Sequence, residues 1–99
     1  MPDVVEVTLF HKRPEVDEPA LVQLATDAAE ALKTCTGFLS RVLSRDGEGQ
    51  WTDIVEWESM AQALHAEAAL ADHPWVKAFS AAMEPGAILL RREVGPDGR

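Results

Sequence analysis

The stretch from Trp51 to Leu64 constrains the fold most, because it predicts a β-strand that runs directly into an α-helix. Residues alternate along its first half, and one face of the strand therefore carries Trp51, Asp53, Val55 and Trp57. Ser59, with Gln62 three residues later, has the spacing of a capping box, so the helix is predicted to begin there. Trp57, at the exit of the strand, is then the large side chain best placed to line a pocket between the sheet and its helices.

The residues before this stretch predict a strand, a helix and a hairpin. β-Branched and aromatic residues predict a strand over 4–10. Apolar residues with helical spacing predict a helix from Pro19, which Gly37 is expected to end in a left-handed conformation. A further strand over 38–45 is joined to the strand at Trp51 by a polar turn, 46–50, that contains two glycines, so these two strands are predicted to pair.

The residues after Ser59 predict a broken helix and a last strand. Leu64, Ala68 and Ala71 are expected to form the apolar face of the first helical segment. Pro74 disfavours helical geometry at the residue before it, so the helix is predicted to break at His73 and restart. The restarted segment has an apolar stripe made of Trp75, Val76, Phe79 and Met83. A strand follows over 87–94, and 95–99 is predicted to be a flexible tail.

The predicted order of elements indicates an α+β fold of the ferredoxin-like, split βαββαβ type. With 99 residues the chain is expected to form one domain, over 4–94. Right-handed crossovers place both helical regions on one face of a four-stranded antiparallel sheet. The first and last strands, however, carry apolar residues on both faces, so the second face needs a cover. A second copy of the chain is the economical cover, and we expect a homodimer joined sheet to sheet.

Composition excludes several classes of partner. The 17 acidic and 9 basic residues give a formal charge of −8, which repels phosphate backbones and argues against nucleic acid as a partner. No apolar run is long enough to span a membrane, and the N-terminus lacks the basic character of a signal peptide. The single cysteine, Cys35, cannot form an internal disulfide. A cytoplasmic protein is therefore expected.

The sequence resembles the dimeric α+β barrel superfamily and, within it, the antibiotic-biosynthesis-monooxygenase-like domains. The resemblance rests on the residues Gly37-Phe38-Leu39-Ser40-Arg41, on the run from Trp51 to Ser59 leading into Ala63, and on His73-Pro74 with Phe79. It implies a dimeric α+β barrel with a small pocket between sheet and helices in each subunit. Some members oxidise aromatic polyketides or quinols with dioxygen and without metal or flavin, others degrade haem, and no cofactor is expected here.

The chain departs from the haem-degrading members of this family. Those members use an asparagine in the first strand, where this chain has only Glu6 and Thr8 as polar candidates. His73 and Trp75 lie too close together to match the family spacing. The chain also has no tyrosine, so an oxygenase mechanism that needs a phenol side chain is not available to it.

Candidate site residues come from the second helical region and the sheet. His65 is the candidate catalytic base, because an imidazole titrates near neutral pH, with a surface position on the helix as the alternative. The expected lining of an aromatic-binding pocket is Trp57, Leu64, Trp75 and Phe79. Core packing is the default role of the two tryptophans, and it can coexist with lining the pocket. The spacing of the three histidines does not match a metal site, so none is expected. Asp53 is expected to pair with Arg41, across the hairpin or across the dimer, unless it acts as a base.

These observations predict a protein that binds a small apolar or aromatic molecule. As an enzyme it would be a cofactor-independent monooxygenase acting on a small aromatic or quinol-like substrate. The alternatives are a non-catalytic dimeric module that binds a ligand or a partner, and an isomerase or lyase built on the same barrel.

Overall fold

Strands and helices follow one another along the chain in the order that the sequence predicts. The computed structural model describes residues 3–94, so the predicted tail lies outside the described residues. The strands are β1 (Val4–Phe10), β2 (Phe38–Arg45), β3 (Trp51–Trp57) and β4 (Ile88–Glu93). The helices are α1 (Glu18–Leu32), α2 (Met60–Leu70) and α3 (Pro74–Ala81). All strand pairs are antiparallel and the order across the sheet is β2-β3-β1-β4, which confirms the ferredoxin-like α+β fold.

Each helix begins at a side chain that accepts a hydrogen bond from a free backbone amide. Asp17 accepts from the amide of Ala20 at 2.8 Å, and Ser59 Oγ accepts from the amide of Gln62 at 3.2 Å. The return contact of the capping box differs from the expected one, since Ser59 Oγ also donates to Gln62 Oε1 at 3.1 Å. His73 Nδ1 accepts from the amide of Trp75 at 3.1 Å, which confirms the break before Pro74.

Two helix predictions were wrong in detail. The first helix ends at Leu32, and the amides of Thr34 and Cys35 bond to carbonyls three residues back, so the chain tightens into a turn without a left-handed cap. Gly37 has a φ of +92°, as predicted, but it leads into β2 instead of ending the helix. On α2 the buried face consists of Ala63, Ala66 and Leu70, because small alanines let the helix approach the sheet closely. The face predicted there, Leu64, Ala68 and Ala71, is exposed.

The core lies between the helices and the face of β3 that carries its two tryptophans. One cluster packs Phe10 and Trp51 of the sheet against Leu21, Ala25 and Phe79 of the helices. The other packs Val4, Val55 and Trp57 against Ala63 and Ala66. The helix layer, and not the opposite face, is therefore the layer that Trp51 and Trp57 meet.

The opposite face of the sheet is rich in apolar side chains that the helices do not cover. The strand registers place on it Val5, Val7, Leu9, Val42, Ile54, Ile88 and Leu90. Val42 and Ile88, on the two edge strands, are each more than half exposed. No helix within residues 3–94 has the length and apolar character needed to cross a membrane.

Candidate functional site

Two adjoining cavities lie between the sheet and the helices. One has a volume of about 370 Å³ and is lined by Trp57, Glu6 and Arg91 of the sheet, together with residues of α2 and α3. The other has a volume of about 270 Å³ and is lined by Asp53, Arg41 and Thr8 of the sheet, with Phe79 of α3. The two cavities share the lining residues Glu6, Leu32, Val76, Ser80 and Leu89, and together they form what we call the cleft.

A network of polar side chains fixes the wall of the larger cavity. Glu6 Oε1 accepts a hydrogen bond from Trp57 Nε1 at 2.6 Å, and Glu6 Oε2 accepts from Arg91 Nε. Arg91 Nη2 donates to Glu67 Oε2 of α2 at 2.5 Å. Burial acts to lower the pKa of the Arg91 guanidinium, but the hydrogen bonds and charges of Glu6 and Glu67 outweigh it and raise that pKa. The guanidinium therefore stays charged and holds a fixed orientation beside the cavity.

A second ion pair, between Arg41 of β2 and Asp53 of β3, lies at the smaller cavity. Arg41 Nε and Asp53 Oδ1 are 2.5 Å apart, and both side chains are only 11% exposed. This confirms the predicted pairing and shows that it runs across the hairpin. Burial raises the pKa of the Asp53 carboxyl above its ordinary value of 3.8, and Arg41 opposes this rise without cancelling it. The carboxylate is thus a stronger proton acceptor than a solvated aspartate.

The Arg41 guanidinium has one buried donor that is not used. Its Cζ lies 5.6 Å from the centre of the Phe79 ring, which gives the cation a partial partner. Its Nη2 is buried and has no hydrogen-bond acceptor among the residues that the structure describes. Buried donors without a partner are rare in folded proteins.

The structure brings only part of the predicted site together. Trp57 lines the larger cavity and Phe79 lines the smaller one. Leu64 and Trp75 are each 47% exposed and line neither cavity, because α2 presents its alanines to the sheet and the Trp75 ring rests beside His73. His65 is exposed on α2 and lines neither cavity, so the geometry does not place it where a base would be needed.

Glu6 and Thr8 were polar candidates of the first strand, but the sequence alone did not place them beside Arg91 and Asp53 in one cleft. Glu6 is directly opposite Arg91 in the β1–β4 register, and Thr8 is directly opposite Asp53 in the β1–β3 register. The one available signal was the opposite charge of Glu6 and Arg91 on strands that the split βαββαβ order makes neighbours. Across residues 3–94, no three side chains of the metal-binding types come close enough to hold a metal ion.

Comparison with known proteins gives the fold but no sequence family. No family model and no curated protein matches the sequence. Among solved structures, the chain is similar to SnoaB, a cofactor-independent oxygenase from Streptomyces nogalater, with 17% identity, coverage of 91% of this chain and 92% of the other, and a TM-score of 0.75. An antibiotic biosynthesis monooxygenase matches with 17% identity, coverage of 94% and 99%, and a TM-score of 0.74.

An enzyme of a different class has the same fold. Hydroxynitrile lyase from Passiflora edulis matches with 14% identity, coverage of 97% of each chain and a TM-score of 0.74. One fold can therefore serve both oxygenase and lyase chemistry, and the side chains of the cleft must decide between them. The resemblance noted in the sequence is confirmed for the fold: this chain folds as the antibiotic-biosynthesis-monooxygenase-like proteins do.

Proposed function

We propose that this chain binds a small aromatic molecule in the cleft and oxidises it with dioxygen, as a monooxygenase that needs no cofactor. The observation that carries the proposal is the cleft itself, two joined cavities of about 370 and 270 Å³ between sheet and helices. Its lining is mainly apolar, and its charged groups are held by ion pairs, as is typical of sites that bind and orient small molecules. The fold shared with SnoaB supports the oxygenase class.

The proposed reaction passes through a substrate anion that forms in the cleft from a substrate bound in its neutral form. A phenol or enol that passes its proton to water becomes an electron-rich anion, and this anion gives its electrons to dioxygen. Arg91, charged and held by Glu6 and Glu67, can stabilise the negative charge that develops on the substrate oxygen. In the overall reaction a ring CH₂ becomes a carbonyl, one oxygen atom enters the product and the other leaves as water.

We also infer that the protein is a homodimer joined through the faces of its sheets that the helices do not cover. This face is lined with aliphatic side chains on all four strands, and Val42 and Ile88 extend the apolar surface to both edges. Contiguous apolar surface of this kind is typical of an interface. A two-fold axis would cover the same patch on both copies at once.

A lyase is the second candidate, and the shared fold of the hydroxynitrile lyase is the observation that favours it. In that case the hydroxyl of a cyanohydrin would lose its proton while the bond to the nitrile carbon breaks, giving a carbonyl compound and cyanide. A non-catalytic ligand-binding module is the third candidate. The three differ in a simple way, since only the oxygenase consumes oxygen and only the lyase turns over without it.

Oxygen uptake tests the proposal. We expect purified protein to accelerate oxygen consumption by anthrone or 1,4-naphthohydroquinone above the rate of their autoxidation in buffer, and ¹⁸O₂ to place one labelled atom in the anthrone product. The Arg91→Gln variant should lose about 100-fold in kcat, the usual effect of removing one donor to a developing oxyanion. The Arg45→Gln variant, which removes an exposed guanidinium paired with Glu18, should keep the wild-type rate. Binding of the substrates without any uptake of oxygen would contradict oxygenase activity.

A further inference from the structure

Arg41, which has an unused donor, and Asp53 both line the smaller cavity. Arg41 Nη2 is buried without an acceptor, while Arg41 Nε holds Asp53 Oδ1 at 2.5 Å. Within residues 3–94, no side chain donates a hydrogen bond to the other oxygen, Asp53 Oδ2. Thr8 is the cross-strand neighbour of Asp53 and lines the same cavity. One donor and one acceptor, on two residues that line the smaller cavity, are therefore without a side-chain partner among the described residues.

The charges around the cleft decide what kind of ligand group fits there. The opposite charges cancel within the pair Arg41–Asp53 and within the pair Arg91–Glu6, and Glu67 adds one negative charge. A ligand carboxylate would bring a further negative charge beside Asp53, and its repulsion would oppose binding. A neutral hydroxyl can accept from Arg41 Nη2 and donate to Asp53 without any change in net charge.

We propose that Arg41 and Asp53 are specificity-determining residues that select a ligand bearing a neutral hydroxyl group on an aromatic or enolic ring. Arg41 Nη2 donates to the hydroxyl oxygen, Asp53 accepts the hydroxyl proton in a hydrogen bond, and the ring lies in the apolar part of the cavity next to Phe79. This inference rests on the proposed function, because it requires a ligand in the cleft. It goes further because it names the two residues that recognise the hydroxyl group and because it predicts weak binding of ligands that are anionic before they bind.

A series of naphthalenes with one variable group tests the inference. We would measure the affinities of 2-naphthol, naphthalene, 2-methoxynaphthalene and 2-naphthoate by equilibrium dialysis at pH 7. We expect 2-naphthol to bind at least about tenfold more tightly than naphthalene or the methyl ether. A tenfold change in affinity corresponds to the free energy of about one hydrogen bond to a charged group. The carboxylate should bind more weakly than 2-naphthol.

Variants assign the preference to the two residues. In Asp53→Asn the preference for 2-naphthol over the methyl ether should fall to about threefold or less, whereas the affinity for naphthalene should stay within about twofold of wild type. Arg41→Lys keeps the charge but loses Nη2, and it should show the same loss of preference. Arg45→Gln, on the same strand, should keep the full preference.

The outcomes separate this inference from the proposed function. If the wild type binds 2-naphthol and 2-methoxynaphthalene equally, the inference is overturned while the cleft stands as a binding site. If it binds none of the naphthalenes, the proposed function fails as well. These two results need only the wild-type protein, so a variant that does not fold leaves the test decisive.

Discussion

Removing one partner of the Arg41–Asp53 pair should cost far more stability than removing one partner of an exposed pair. In Arg41→Met the Asp53 carboxylate, only 11% exposed, keeps its charge and loses its cation. Breaking a buried pair in this way costs about 3–5 kcal/mol, and we expect about 3 kcal/mol here because the pair borders a cavity. With a total stability of about 5–15 kcal/mol for a native domain, this is a large fraction.

The Arg45–Glu18 pair is the matched control. It joins the same strand to α1, and its side chains are 49% and 46% exposed. Exposed pairs contribute about 0–1 kcal/mol, so Arg45→Met should change stability very little. The double variant Arg41→Met/Asp53→Asn removes both buried charges and should recover most of the loss seen in Arg41→Met.

Equilibrium unfolding in urea, followed by tryptophan fluorescence at one fixed protein concentration, measures these differences. A loss of about 3 kcal/mol lowers the urea midpoint by roughly 2–3 M at an m-value of about 1–1.5 kcal/mol/M. A fixed concentration is needed because the stability of the proposed dimer would depend on protein concentration. Equal losses of unfolding free energy in Arg41→Met and Arg45→Met would refute the reasoning that burial determines how much an ion pair contributes to stability.

The pH dependence gives a second check on the same variant. The pKa of Asp53 is already raised above 3.8 by burial, and loss of Arg41 removes the charge that opposes this rise. The folded state then binds the proton more tightly than the unfolded state. Protonation of Asp53 therefore stabilises the folded state fully below pH 3.8, the ordinary pKa that applies to the unfolded chain. This stabilisation is lost as the pH rises through the folded-state pKa. We expect the deficit of Arg41→Met to shrink as pH falls from 7 toward 4, and a constant deficit would contradict this cause.

Two further predictions concern the turn before β2 and the uncovered face of the sheet. Gly37→Ala should lower the free energy of unfolding by about 2 kcal/mol or more, because its φ is +92° and a Cβ there would lie 2.4 Å from a side-chain oxygen of α2. Gly49→Ala, with φ +86° and open space around it, should lower the free energy of unfolding only by the backbone strain, about 1–2 kcal/mol. For the dimer, light scattering should give the wild type twice the 10.8 kDa chain mass, and Val42→Glu on the uncovered face should give the monomer. Val22→Glu, the same substitution at an exposed position of α1, should stay dimeric. A monomeric wild type at micromolar concentration would rule out the sheet-to-sheet dimer.

Local sequence patterns were enough to predict the elements and their order. The strand over Trp51–Trp57, the cap at Ser59 and the break at His73 were all predicted, because each depends on neighbouring residues within a few positions. The order of elements then left the split βαββαβ sheet as the economical arrangement. The Arg41–Asp53 pair was also within reach, since a short hairpin fixes which residues face each other.

The tertiary structure alone decided which face of each element is buried. Alternation along β3 sorts its residues into two sets but does not say which set meets the helices, and the packing of Trp51 and Trp57 against α1, α2 and α3 settles that. The alanine-rich α2 has a weak apolar pattern, so its rotation is fixed by the close fit of Ala63 and Ala66 to the sheet. A rotation by one residue is enough to move Leu64 and His65 to the surface.

The site depends on contacts between residues that are far apart in the chain. Glu6 meets Trp57 and Arg91 only because β1 lies between β3 and β4, with sequence separations of 51 and 85 residues. Local patterns contain no information on such registers, since burial and strand pairing over the whole sheet determine them. The sequence therefore determined where a cleft could form, and only the folded sheet decided which charged side chains line it.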